Sequence, residues 1–249
     1  MKLSVIVPVY NEKETVRTLL DRVVSIPIEK EIIVVDDGST DGTKEVLRAR
    51  FPNGTPGVKL LFQETNQGKG AAIRAGLEKV QGDLVFIQDA DLEYDPQNYP
   101  SLIEPFADPS VQVVYGSRFL HTTLPKFLRE WSPLRARDQK SEKRYLTTYL
   151  GIRILNFMSY VLYGLKTTDE ATCYKVLRTP LLKSLGLESE GFEFCSEVTA
   201  KIGLRRLRVI EVPITYHPRT FQEGKKLKIL RDGWGALWTL IKYRYGKEK

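Results

Sequence analysis

The chain has 249 residues, of which 42% are hydrophobic and 28% charged, and carries a net charge of +7. This is enough for one large α/β core, and the balance excludes a disordered polymer. From 218 to 249 nine Lys or Arg stand against three acids, so +6 of the +7 sits in the tail and a nucleic-acid-binding body is not expected.

Two cysteines, Cys173 and Cys195, show no metal-type spacing, and the opening MKLSVIVPVYNE has too short an apolar run for a signal peptide. Both features predict a reduced, cytoplasmic setting.

In chain order, β-rich runs fall at 3–7, 31–35, 58–62, 83–87 and 111–115. Continuous apolar runs of this length suit strands covered on both faces. Between the first two, Val16, Leu19, Leu20, Val23 and Val24 recur at the spacing of one helix face, with Asn11 placed to cap it and Glu14 three residues on, as in a capping box. Ile73, Gly76, Leu77 and Val80 repeat the pattern before the fourth run. The first 118 residues therefore predict a β-α-β-α-β-α-β array, a doubly wound and mostly parallel sheet. In such sheets ligands sit beyond the carboxyl ends of the strands. The loops PVYNE, DDGSTDG, QDADLEYD and GSRF should thus converge on one rim.

Residues 120–143 are irregular and charge-rich, and 145–165 are apolar on nearly every face. Arg153, Asn156 and two glycines argue against a bilayer span there, so a helix at an interface or under the core is expected.

The run FIQDADLEYDP ends a buried strand in four acids, Asp89, Asp91, Glu93 and Asp95. Two readings stand: a solvated turn, or carboxylates holding a hard divalent ion that keeps positions open for phosphate oxygens. Asp36 and Asp37 are similarly open to a turn role and a ligand role. No G-x-G-x-x-G follows the first strand, and GKGAAIRAG has Ile73 where a third Gly is needed, which weighs against a nicotinamide dehydrogenase.

The segments PVYNE, IIVVDDGSTDGT, NQGKGAAIRAG, QDADLEYDP, GSRF, TTDEATCYKV, GFEFCSEVTAKI and EVPITYHPRTFQEGKK occur in the order found in family 2 glycosyltransferases. The chain most resembles, over roughly residues 3 to 235, the branch of dolichyl-phosphate mannose and glucose synthases and their bacterial relatives. The resemblance implies a GT-A fold, a nucleotide-diphosphate sugar donor of the GDP-mannose or UDP-glucose type, Mg²⁺ or Mn²⁺, and inverting transfer to a polyprenyl (dolichyl or undecaprenyl) phosphate.

Carried over by position, it implies that Pro8, Tyr10, Glu12, Val35 and Asp37 line the nucleoside pocket, with Asp89 and Ala90 by the ribose and diphosphate. Asp91 becomes the main metal ligand with Glu93 beside it, Glu93 standing where relatives often have Gln. Arg118, Arg144, Arg219 and Lys225 match the basic positions for the acceptor phosphate and donor diphosphate, and Asp91, Arg118 and Arg219 are expected to carry catalysis. Glu193 in GFEF replaces a Lys of some mannose synthases.

Residues 1–224 are expected to form the catalytic domain and 225–249 a basic amphipathic helix. In the latter, Leu227, Leu230, Trp234, Leu237, Trp238, Ile241 and Tyr245 share a stripe. Such a helix either lies among lipid headgroups or docks on the sheet. The expected setting is therefore the inner face of the cell membrane, bound peripherally. Transfer to a soluble or glycan acceptor is the alternative activity, and a scaffold that only binds sugar nucleotides the non-enzymatic one.

Overall fold

The computed structural model describes residues 1–52, 55–120, 139–219 and 229–246, with the side chains of 139–146 and 229–230 outside the described set. Seven strands form one sheet: β1 Leu3–Val9, β2 Lys30–Asp36, β3 Val58–Phe62, β4 Leu84–Ile87, β5 Val113–Ser117, β6 Lys175–Arg178 and β7 Ile210–Pro213. Eight α-helices accompany them among the described residues: α1 Val16–Ser25, α2 Thr43–Arg50, α3 Lys69–Leu77, α4 Tyr99–Ile103, α5 Gln139–Tyr163, α6 Thr179–Ser184, α7 Phe194–Leu204 and α8 Ile229–Tyr245.

The strand order is β3-β2-β1-β4-β6-β5-β7. β1 pairs in parallel with β2 and β4, while β6 runs antiparallel between β4 and β5. Because β6 reverses and β5 reverses again, β4 and β5 point the same way. Their carboxyl ends open onto the edge that carries the ends of β1 and β2.

Alternation along the strands builds two cores. Leu3, Val5, Val7 and Val9 meet Val16, Leu19, Leu20 and Val23 of α1 on one face. Ile6, Ile33 and Val35 meet Ala72 and Ile73 of α3 on the other. Each fully buried Val or Leu contributes about 1.5–3 kcal/mol. Val24, expected on the buried face of α1, is exposed, because that face is filled by the four residues before it.

The capping box is also corrected. α1 starts after Thr15, and the carbonyl of Glu12 accepts from the amides of Thr15 and Val16. Asn11 instead adopts φ 49° and accepts from the Thr40 amide at 2.8 Å, which ties the loop after β1 to the loop after β2. β5 begins two residues later than expected, since the Val111 amide closes a turn on Asp108, and continues to Ser117 through its pairing with β7.

α5, α7 and α8 pack together as a further layer, with Leu155, Leu162, Ala200, Ala236 and Leu240 in one cluster. On α5 the expected all-round apolar helix divides into two sides. Ile152, Leu155 and Leu162 are buried, whereas Leu150, Ile154, Phe157 and Val161 lie exposed along one stripe. Among the described residues no helix is long and apolar enough to cross a membrane.

Candidate active site

At the carboxyl edge of the sheet lies a cavity of about 560 Å³, and the four predicted loops do meet there. Pro8, Tyr10 and Glu12 line it from β1, Asp37 from β2, Asp89, Ala90, Asp91 and Glu93 from β4, and Arg118 from β5. Val35 is the exception. Strand alternation turns its side chain into the core beside Ile6 and Ala72, leaving its backbone paired with Pro8. The Arg144 side chain and Lys225 lie outside the described residues.

The two acids after β2 divide the roles left open by the sequence. Asp36 accepts from the Ser39 amide at 3.0 Å and makes the turn. Asp37 faces the cavity and accepts from the Asn66 side chain at 2.8 Å and the amides of Gln67 and Gly68 at 2.8 and 2.9 Å. Burial raises its pKa, and the two backbone hydrogen bonds oppose that rise. Asp37 thereby anchors the loop that leads into α3.

That loop delivers Lys69, which the sequence reading did not single out. Its ammonium lies 2.5 Å from Asp89 and 2.6 Å from the Cys173 sulfur. Burial works against its charge, but Asp89 together with the neighbouring Cys173 and Cys195 outweighs it and holds the Lys69 pKa well above the ordinary value. The first amides of α3 are already used: Gly70 and Ala71 both donate to the carbonyl of Glu190. Only glycine fits at position 70, since a Cβ there would sit 2.3 Å from the Ser189 carbonyl oxygen.

After β4, Asp91 accepts from the Glu93 amide at 3.1 Å and faces Arg219 at 3.3 Å. Burial first, then the charges of Asp89 and Glu93, push the Asp91 carboxyl up to about 7 against the pull of Arg219. Glu93 accepts from the Arg219 amide at 2.8 Å and from the Tyr216 hydroxyl, so its oxygens hold the segment after β7 in place. Asp95 caps the following 3-10 turn through the Gln97 amide, with Pro96 next to it.

Arg219 spans the cavity mouth. It donates to both oxygens of Glu12 at 3.1 Å besides facing Asp91, and so links the loops after β1, β4 and β7. Arg118 is held differently. Its Nε and a terminal nitrogen both reach Asp169 at 2.7 Å, and the guanidinium lies over the Tyr216 ring at 5.0 Å. Asp169, another residue the reading missed, lies within the quoted TTDEATC segment. Its role became visible only when the loop before β6 came back to β5.

No group of three or more His, Cys, Asp or Glu is arranged as a metal site among the described residues. The donor set still fits a divalent ion: Asp91 is a hard oxygen ligand in a buried, negatively charged place where added positive charge would relieve repulsion. In the structure Arg219 supplies part of that charge.

The cavity has a second, apolar end. There it is lined by Thr148, Gly151, Ile152 and Leu155 of α5 and by Asp232, Gly233 and Ala236 of α8, mostly apolar positions. A Cβ added at Gly151 or Gly233 would meet nothing within 4 Å, so this end is a groove with open space.

Residues 4–186 match the glycosyl transferase family 2 profile. The chain belongs to glycosyl transferase family 2. It is 28% identical over 262 residues to an undecaprenyl-phosphate mannosyltransferase of Micrococcus luteus, covering 99% of this chain and 100% of that one. It is also 29% identical over 236 residues to the low-salt glycan biosynthesis hexosyltransferase Agl6 of Haloferax volcanii, and 28% identical over 225 residues to a dodecaprenyl-phosphate galacturonate synthase of Rhizobium johnstonii. These alignments cover 93% and 88% of this chain, but 51% and 60% of those relatives.

Among solved structures, glucosyl-3-phosphoglycerate synthase of Mycobacterium tuberculosis superposes with a TM-score of 0.70 at 19% identity, over 100% of this chain and 82% of that one. The same enzyme with Mn²⁺, uridine diphosphate and glucosyl-3-phosphoglycerate gives 0.66 at 19% identity, over 100% and 81%. The fold is thus GT-A, and the chain is a glycosyltransferase.

Proposed function

We propose that this glycosyltransferase moves a hexose, with inversion, from a nucleotide-diphosphate sugar to a polyprenyl phosphate at the cytoplasmic membrane face. One observation carries the reading: a single cavity joins a charged end, bearing Asp37, Asp89, Asp91, Arg118 and Arg219, to a wall of α5 and α8 where Gly151, Ile152, Leu155, Gly233 and Ala236 are apolar and Thr148 and Asp232 are polar. A donor with two phosphates suits the first, and the isoprenoid chain of a lipid acceptor suits the second. The relatives named for undecaprenyl and dodecaprenyl phosphate support that acceptor class.

The acceptor needs little activation. With a second pKa of about 6, a phosphate monoester is already largely a dianion at neutral pH. Its oxygen attacks the anomeric carbon as the bond to the nucleoside diphosphate breaks, and the leaving electron pair stays on the β-phosphate. Asp37 and its loop seat the nucleoside, while Arg118 and Arg219 orient the phosphates. Asp91, with Asp89 adjoining it, would hold Mg²⁺ or Mn²⁺, which supplies positive charge to the diphosphate leaving group. Glu93 acts by fixing Tyr216 and Arg219.

The outer helix faces support membrane docking. Trp234 is 69% exposed and Trp238 57%, with exposed Arg231, Lys242 and Arg244 on the same helix, and α5 carries its own exposed apolar stripe. The opposite side of α8 is packed through Ala236 and Leu240. The two readings of this helix therefore describe its two sides: one docked on the protein, one available to lipid.

The test is a panel of sugar nucleotides against undecaprenyl, dolichyl and soluble phosphate acceptors, with and without EDTA. Transfer to polyprenyl phosphate that stops on chelation supports the proposal. Preference for a soluble acceptor would replace it with the alternative activity, and metal-independent transfer would remove the role given to Asp91.

A further inference from the structure

The charged end of the cavity contains a pair of thiols for which the transfer reaction has no use. Cys173, in the strap before β6, and Cys195, in the first turn of α7, both line the cavity, and they are the chain's two cysteines. Cys173 is buried and Cys195 partly exposed. The thiols are hydrogen-bonding neighbours, 22 positions apart in sequence and brought together by the return of the chain between β6 and α7. Lys69 completes the cluster at 2.6 Å from the Cys173 sulfur, while bonded to Asp89.

A thiol at a helix start and beside ammonium groups has the surroundings of a reactive cysteine. The hydrogen bond from Cys173, followed by the charges of Lys175 and Lys69, holds the Cys195 thiol below its ordinary pKa despite burial.

We propose that Cys173 and Cys195 form a reversible dithiol-disulfide pair in the floor of the donor cavity, oxidised by a peroxide and reduced by a low-molecular-weight thiol, and that oxidation weakens donor binding. The Cys195 thiolate attacks one peroxide oxygen, breaking the O–O bond and releasing water to leave a sulfenic acid. The Cys173 sulfur then displaces the sulfenic oxygen as a second water, giving the disulfide, so two thiols and one peroxide yield one disulfide and two waters. The new bond removes a partner of Lys69 and joins the strap before β6 to α7. The loop preceding α7 holds the start of α3 through the Glu190 carbonyl, so the change is passed to Lys69 and its Asp89 contact from both directions.

The regulatory half rests on the donor reading above; the disulfide itself does not. The experiment treats the full chain with hydrogen peroxide and then dithiothreitol. It reads intact mass after alkylation, together with UDP and GDP binding by calorimetry in each state. The expected result is an intramolecular disulfide, marked by loss of two hydrogens, with nucleotide affinity lost on oxidation and restored on reduction. Cys195→Ser, which lacks the attacking thiol, should form no such bond and keep its affinity after peroxide, whereas Cys173→Ser should form no bond and stop at oxygen addition on Cys195. In the unsubstituted chain, oxygen addition without a disulfide, or cross-linked dimers only, would overturn the pair. A disulfide that leaves affinity unchanged would overturn the regulation. If neither nucleotide binds the reduced protein, the donor reading and the regulation both fall, while the mass still decides the thiol chemistry.

Discussion

Arg219 and Asp91 face each other at 3.3 Å although 128 positions separate them, and the guanidinium is at the same time held by both oxygens of Glu12. A cation from the loop after β7 thus offsets acids from the loops after β1 and β4. A network that balances charge in this way makes each member's removal informative.

Asp91→Asn keeps the shape and removes the charge. Transfer should fall by about 100-fold or more, as when a group stabilising transition-state charge is lost. Thermal stability should hold or rise, because burial, Asp89 and Glu93 all disfavour the ionised carboxylate. Substantial turnover by this variant, measured beside its melting curve, would count against Asp91 as the principal ligand.

Asp169→Ala strands the Arg118 guanidinium, whose side chain is 8% exposed. Removing one partner of a buried pair costs about 3–5 kcal/mol, so urea denaturation should show a loss on that scale. A cost below about 1 kcal/mol would place the pair among weak surface bridges instead.

Glu170 is fully buried, and neither carboxylate oxygen has a hydrogen-bond partner; Ser196 and Thr199 are near, but without hydrogen-bonding geometry. Burial pushes its carboxyl up to about 7. A carboxylate raised on folding contributes stability that is full below its unfolded pKa and lost as pH rises through the folded one. This group's contribution should therefore fall by about 1.4 kcal/mol per pH unit between about pH 5 and about pH 7. Denaturation midpoints across that window should slope less in Glu170→Gln, and an unchanged slope would assign the dependence elsewhere.

Gly233→Leu and Gly151→Leu place side chains in open space where α5 and α8 line the cavity. Replacing helical glycine relieves a backbone cost of about 0.5–1 kcal/mol, so folding should not suffer. The KM for a long polyprenyl phosphate should rise while the KM for the sugar nucleotide stays put. Equal effects on both would argue that the groove does not hold the lipid.

Trp234→Ser with Trp238→Ser removes the two exposed rings of α8. Sedimentation with anionic vesicles should drop while transfer to a short, water-soluble acceptor continues. Undiminished vesicle binding would move the docking surface to α5.

Strand and helix periods follow from local sequence, so β1, β2, β3, β4 and the buried face of α1 were legible almost to the residue. The strand-end rule then predicted correctly that four separate loops share one rim. What could not be read was every feature that depends on the chain returning. β6 is four residues long and inserts antiparallel between β4 and β5, and neither its length nor its register has a local signal. The Arg118–Asp169 bond, the use of Glu93 to fix Tyr216 and Arg219, the Lys69–Cys173 contact and the burial of Val35 all arise from that return or from strand facing. The sequence by itself determined the elements and the chemical inventory of the rim, because these depend on short-range periodicity and residue type. The tertiary structure alone decided which acid meets which cation, because partners far apart in the chain are chosen by strand order and by the cost of leaving a buried charge unpaired.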